Sequence, residues 1–66
     1  MIEPTVADCG RRVRYRDGTG GILRRYNDQY AFVGWDVRVR DRERKQYVTV
    51  QSDVESPTAF RELEWE

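Results

Sequence analysis

The chain has 66 residues, 12 basic and 12 acidic side chains for a formal net charge of zero, no histidine and one cysteine, Cys9. That length allows one domain, and a domain so small buries only about 60% of its unfolded surface. The composition excludes an internal disulfide and a Cys/His zinc site, and no apolar run approaches the 18 residues that a membrane-spanning helix needs.

Cys9 has no histidine to activate it and reads as a small half-buried residue. Residues 1–4 lack the basic and apolar regions of a signal peptide, so a cytoplasmic location is the expectation. The zero net charge hides an asymmetry. Residues 11–50 hold eleven basic and five acidic side chains, whereas residues 51–66 hold five acids and one arginine. A basic middle between acidic ends points to a polyanionic partner or to internal neutralisation.

Residues 1–10, punctuated by Pro4 and Gly10, read as an N-terminal lead-in from which Ile2 and Val6 can pack on the domain that follows, residues 11–66. Arg12-Val13-Arg14-Tyr15-Arg16 alternates strictly, as a half-buried strand does. Asp17-Gly18-Thr19-Gly20-Gly21 is a turn whose glycines permit positive φ and close backbone approach. Ile22-Leu23-Arg24-Arg25-Tyr26 forms the second strand. Asn27-Asp28 is a tight-turn pair, because both residues tolerate the left-handed region.

The apolar run Tyr30-Ala31-Phe32-Val33-Gly34-Trp35 predicts a central strand, with Gly34 marking a bulge or a sharp corner. Val37-Arg38-Val39-Arg40 and Tyr47-Val48-Thr49-Val50 then predict a hairpin around a charged turn, Asp41 to Lys45. Residues 51–56 read as a polar loop. Pro57-Thr58-Ala59-Phe60 reads as one helical turn with proline first, and residues 61–65 as a last short strand. No helical period survives for ten residues. The pattern predicts an all-β, five-stranded antiparallel barrel, since closure removes exposed edges.

Arg12-Val13-Arg14-Tyr15, followed by Gly18 and Gly20-Gly21-Ile22, resembles a KOW-type motif, in which a basic strand leads through a glycine turn into an apolar strand. Residues 30–36 resemble the third strand of SH3-like barrels, and residues 57–65 their closing helical turn and last strand. The resemblance covers residues 10–65 and extends to small barrel proteins of unknown function from phages and prophages. KOW and Tudor-like barrels bind nucleic acid, ribosomal or polymerase surfaces, or peptides, which makes a small binding module the expectation. The charged insert of residues 37–45 departs from the pattern. Plasmid-borne dihydrofolate reductases share such a barrel, but their pore motif Val-Gln-Ile-Tyr is matched only at Val50-Gln51, so that enzyme is set aside.

Arg12, Arg14 and Arg16 share one strand face, with Arg24 and Arg25 on the neighbouring strand. Arginine grips phosphate in two-pronged geometry and stacks on bases. Tyr26 and Tyr30, with Tyr47 as a further candidate, offer stacking platforms. These seven residues, Arg12 to Tyr30, are the expected nucleic-acid contacts. Arg38, Arg40, Arg42 and Arg44 are the expected partner contacts, on a surface suited equally to docking a host protein. The competing reading has the arginines solubilise the barrel and pair with nearby acids. Phe32, Trp35, Phe60 and Trp65 are expected to fill the core, with Phe32 or Trp65 the candidates for an outward anchor. Without a histidine, a metal motif, a P-loop or a nucleophile beside a base, no catalysis, metal or cofactor is expected. The expected partner is nucleic acid or a protein of a nucleic-acid machine, not a membrane, with a homodimer left open.

Overall fold

The computed structural model describes all 66 residues. Five strands form one antiparallel sheet in the order β4-β3-β2-β1-β5: β1 (Arg12–Tyr15), β2 (Gly20–Tyr26), β3 (Tyr30–Asp41), β4 (Gln46–Ala59) and β5 (Leu63–Trp65). The only helical elements are 3₁₀ turns at Val6–Asp8 and Phe60–Glu62. The all-β, five-stranded antiparallel expectation is met at that level, with two elements longer than expected.

Alternation sorts the side chains. Val13, Leu23, Ala31, Val33 and Leu63 point inward and are fully buried together with Ile2. Tyr15, Tyr26, Trp35, Phe60 and Trp65 pack around that cluster as half-buried residues. Phe32 points the other way and lies 4.5 Å beneath the Arg25 guanidinium. The lead-in is therefore partly structural: Ile2 is 1% exposed and its N–H donates to the Phe60 carbonyl. Val6 does not pack and is 81% exposed.

Gly21 sits in the register between Val13 and Trp35. A Cβ there would lie 2.7 Å from the Val33 side chain and 2.9 Å from the Gly34 carbonyl. The glycine is needed for close packing, not for its φ. In the β1–β2 turn only Gly18 takes a positive φ, 97°, while Asp17 Oδ1 accepts from the Thr19 N–H.

The β2–β3 turn departs from expectation. Neither Asn27 nor Asp28 enters the left-handed region. Instead Asn27 Oδ1 accepts from the N–H groups of Gln29 and Tyr30, so a side chain replaces the turn's missing backbone partner.

The largest correction lies in β4. Residues 51–56, expected as a loop, remain in the strand, and so do Pro57 to Ala59, expected as a helical turn. The 3₁₀ turn comes three residues later, at Phe60–Glu62. Proline is tolerated because β4 is an outer strand, with one row of backbone groups free of ladder duties. A bulge interrupts β4: Gly34 faces Glu55 and Asp36 faces Gln51, so residues 52–54 span the place of Trp35 alone and β4 has two residues too many. The Ser52 Oγ accepts from the Val54 N–H and steadies it. The bulge falls beside Gly34, where one was expected.

Beyond the bulge, residues 36–41 and 46–51 pair only with each other. They project as a two-stranded arm with no fully buried side chain. The molecule measures 42 × 21 × 17 Å with a radius of gyration of 12.9 Å, against about 11 Å for a compact chain of this length.

Candidate binding face

The arm's register assigns its two faces. Val37 stands opposite Val50 and Val39 opposite Val48, while Arg38 stands opposite Thr49 and Arg40 opposite Tyr47. Directly opposed residues share a face. One face is therefore four valines and the other is Arg38, Arg40, Tyr47 and Thr49. The valine face prolongs the inward row Ala31–Val33–Trp35 of β3 past the end of the core. The arginine face prolongs the outward row.

A polar clasp anchors the root of the arm. Arg12 donates through both terminal nitrogens to the Asp36 carboxylate and through Nε to Glu66 at 3.3 Å. The Gln51 amide also donates to Asp36, leaving Gln51 Oε1 buried without a partner. The Arg12 bonds hold the Asp36 carboxyl below its ordinary value, with Gln51 adding to them against the opposing effect of burial. The same Asp36 bonds push the Arg12 value further up. Charge-assisted, two-pronged pairs are the strongest of side-chain hydrogen bonds.

This clasp bears directly on the arginines singled out from sequence. Arg12 is engaged by Asp36 and Glu66. Arg16 pairs with Glu62 at 2.9 Å and Arg25 with Glu55 at 2.7 Å. Arg24 donates to the Ser52 carbonyl and roofs Gly34. Arg24, bonded only to that carbonyl, and Arg14, opposite Glu64 in the register, are the two body arginines outside any ion pair. Tyr26 packs against the core, and Tyr30 is 43% exposed at the far end of β3. The seven residues expected to share one nucleic-acid face thus do not share it: Tyr26 turns to the core, and three of the five arginines among them are paired with acids.

The four arm arginines are less engaged. Arg44 reaches Asp41 at 3.7 Å within the turn, but Arg38, Arg40 and Arg42 enter no ion pair, nor does Lys45. Arg38 lies 5.2 Å over the Tyr47 ring, and Tyr47 is 62% exposed. A cation held over an aromatic face is pre-positioned without being neutralised. Tyr47 is the residue that sequence reasoning named without assigning. The signal was the hairpin register, which sets it across from Arg40.

Other surfaces offer less. Tyr15 and Trp35 meet edge-to-face at 5.9 Å and line a shallow open depression with Asp17, Thr19 and Thr58. No three His, Cys, Asp or Glu side chains stand close enough to share a metal ion, and no helix is long and apolar enough to cross a membrane. Cys9 is exposed and unpaired. Comparison with protein-family models, with curated proteins and with solved structures finds no match to this chain.

Proposed function

We propose that the chain is an SH3-like barrel serving as a small non-enzymatic module that binds nucleic acid, alone or within a nucleic-acid-processing complex, through the arginine–tyrosine face of its arm. The barrel reading is supported by the strand order, in which β5 returns to pair with β1, and by the 3₁₀ turn before β5. The observation that carries the functional reading is the set Arg38, Arg40 and Tyr47: two arginines outside any ion pair flanking an exposed ring on one face. Arginine supplies phosphate contacts and the tyrosine a stacking surface, the two ingredients of single-strand recognition. Arg42 and Lys45 at the tip add further positive charge to the arm. The arm carries five basic residues against three acidic ones, so it is the basic end of a neutral molecule.

The test is a fluorescence anisotropy titration against single-stranded RNA, single-stranded DNA and duplex DNA at several salt concentrations. Binding is expected to weaken with salt at a slope of about −0.7 to −0.9 per phosphate contact. Arg38→Gln with Arg40→Gln should weaken binding at least tenfold and flatten that slope by about two contacts. Tyr47→Ala should weaken binding to single strands more than to duplex. Absence of binding at low salt, or full affinity in the double variant, rejects the assignment. The alternative, docking on a host protein, draws on the uncovered valine face, and its signature is an affinity that salt leaves unchanged.

A further inference from the structure

The two edges of the arm are protected unequally. β3 is free of β2 beyond Trp35, and its exposed edge there carries Asp36, Arg38, Arg40 and Asp41. β4 is free along its whole outer side. In the body that side is blunted by the bulge at residues 52–54, by Asp53 and Glu55, and by Pro57. In the arm, residues 46–51 read Gln-Tyr-Val-Thr-Val-Gln, with no charge, no proline, no glycine and no bulge. Edge strands are ordinarily guarded by just those devices, and an edge without them is a template for another strand. A two-stranded ribbon is also marginal by itself, and three or more strands with an apolar face are needed for stability.

The occupant that fits this edge is a second copy of the chain. We propose that the protein dimerises by antiparallel pairing of residues 46–51 of two copies about a two-fold axis passing through Thr49. That register sets Val48 opposite the second copy's Val50 and Val50 opposite its Val48. With the pairs Val37–Val50 and Val39–Val48 already in place, two unbroken rows of four valines cross the four strands. β-branched pairs of this kind stabilise sheets. On the other face Thr49 meets Thr49 between the two Arg38 side chains. Just beyond the paired residues, the turn that carries Lys45 comes to the second copy's bulge, which carries Asp53, opposite charges of which neither is in an ion pair within its own chain. Shifting the axis to Val48 leaves one row of four, Val39–Val48–Val48–Val39, but sets each Val50 against Gln46, so both copies of Val50 lose the valine partner they have in the first register. No like charges face each other within residues 46–51, and the net charge of zero gives no long-range repulsion. This inference does not depend on the nucleic-acid reading.

The test is sedimentation velocity of the full chain over a concentration series. The mass should double with concentration for the native chain and for Thr49→Val. Thr49→Lys, which puts two ammonium groups face to face on the axis, should raise the concentration needed by tenfold or more. A dilute-solution circular dichroism melt checks that this variant is folded. The register is read by cross-linking in a Cys9→Ser background with diamide, which takes up the two electrons and two protons released. Directly opposed Cα atoms lie about 4.5–5.5 Å apart, within disulfide range, so Thr49→Cys should give a covalent dimer. Tyr47→Cys should not, because its two copies would be about 13 Å apart at 3.3 Å per residue. A native chain that stays monomeric at millimolar concentration overturns the proposal. So does a Thr49→Lys variant that associates like the native chain, or cross-linking through position 47 as readily as through position 49.

Discussion

Two glycines in adjacent strands show how much a single missing methyl group decides. At Gly21 the obstacles to a Cβ are a packed valine and a backbone carbonyl, neither of which can swing away. Overpacking of this kind costs about 1–3 kcal/mol, so Gly21→Ala should lower the melting temperature by about 5 °C or more. At Gly34 the only obstacle is the Arg24 side chain, which is long and exposed. Gly34→Ala should therefore change stability by no more than about 0.5 kcal/mol while displacing Arg24 from Ser52. Parallel urea titrations of the two variants measure the contrast, and equal losses would mean that Arg24 is held more firmly than its exposure implies. Sequence alone marked both positions as glycine-dependent. The register with Trp35 and Val33, which tells the two apart, becomes visible only in the fold.

At the scale of elements, Asp36 is where β1, β3, β4 and the C-terminal residue converge. Its carboxyl is held below the ordinary value, chiefly by Arg12, so folding favours the ionised form. That contribution is complete above the unfolded carboxyl value of about 3.9 and is lost as pH falls through the lower folded value. Asp36→Asn should thus be less stable than the native chain at neutral pH and should lose less further stability on acidification from pH 5 to pH 2.5. Asp8 and Asp17 are also lowered, mainly by backbone N–H groups of Thr5 and Thr19, so the variant's acid limb is shallower, not flat. Equal acid limbs in urea midpoints would show that the clasp opens in solution. The same clasp explains what was legible in the sequence. Alternation in Arg12-Val13-Arg14-Tyr15 and the apolar run after Tyr30 announced β1 and β3, because a strand's period is local. Pairing of the arginines with acids was one of the two readings, but which acids meet Arg12 and Arg25 was not legible, because their partners lie 24, 54 and 30 residues away. Residues 51–56 looked like a loop because an outer strand with a bulge keeps polar side chains, and Pro57 looked like a helix start because both sites ask only for a proline that need not donate. The hairpin of residues 37–50 was legible, but not its separation from the body, which depends on where β2 stops.

Over the whole molecule, packing and charge are divided between the two ends. Every fully buried side chain lies in the body, while the arm holds the two valine pairs and three arginines outside any ion pair, Arg38, Arg40 and Arg42. The bulge at residues 52–54 is the boundary. A strand that ran through unbroken would transmit order from core to tip. Two surplus residues in β4 instead leave the arm secured by its own ladder and by the Asp36 clasp. In the dilute monomer the arm should therefore open without the body unfolding, as a separate cooperative unit. Amide hydrogen exchange followed by NMR should find the cross-strand N–H groups of residues 37–50 exchanging early, with little dependence on denaturant, and those of Leu23 and Val33 exchanging only through global unfolding. Matching protection in the two sets would make the molecule a single unit. With the arm opening separately, a bound strand, whether nucleic acid on one face or a second copy at the edge, would spend part of its binding free energy on closing it, and the bulge would set how much.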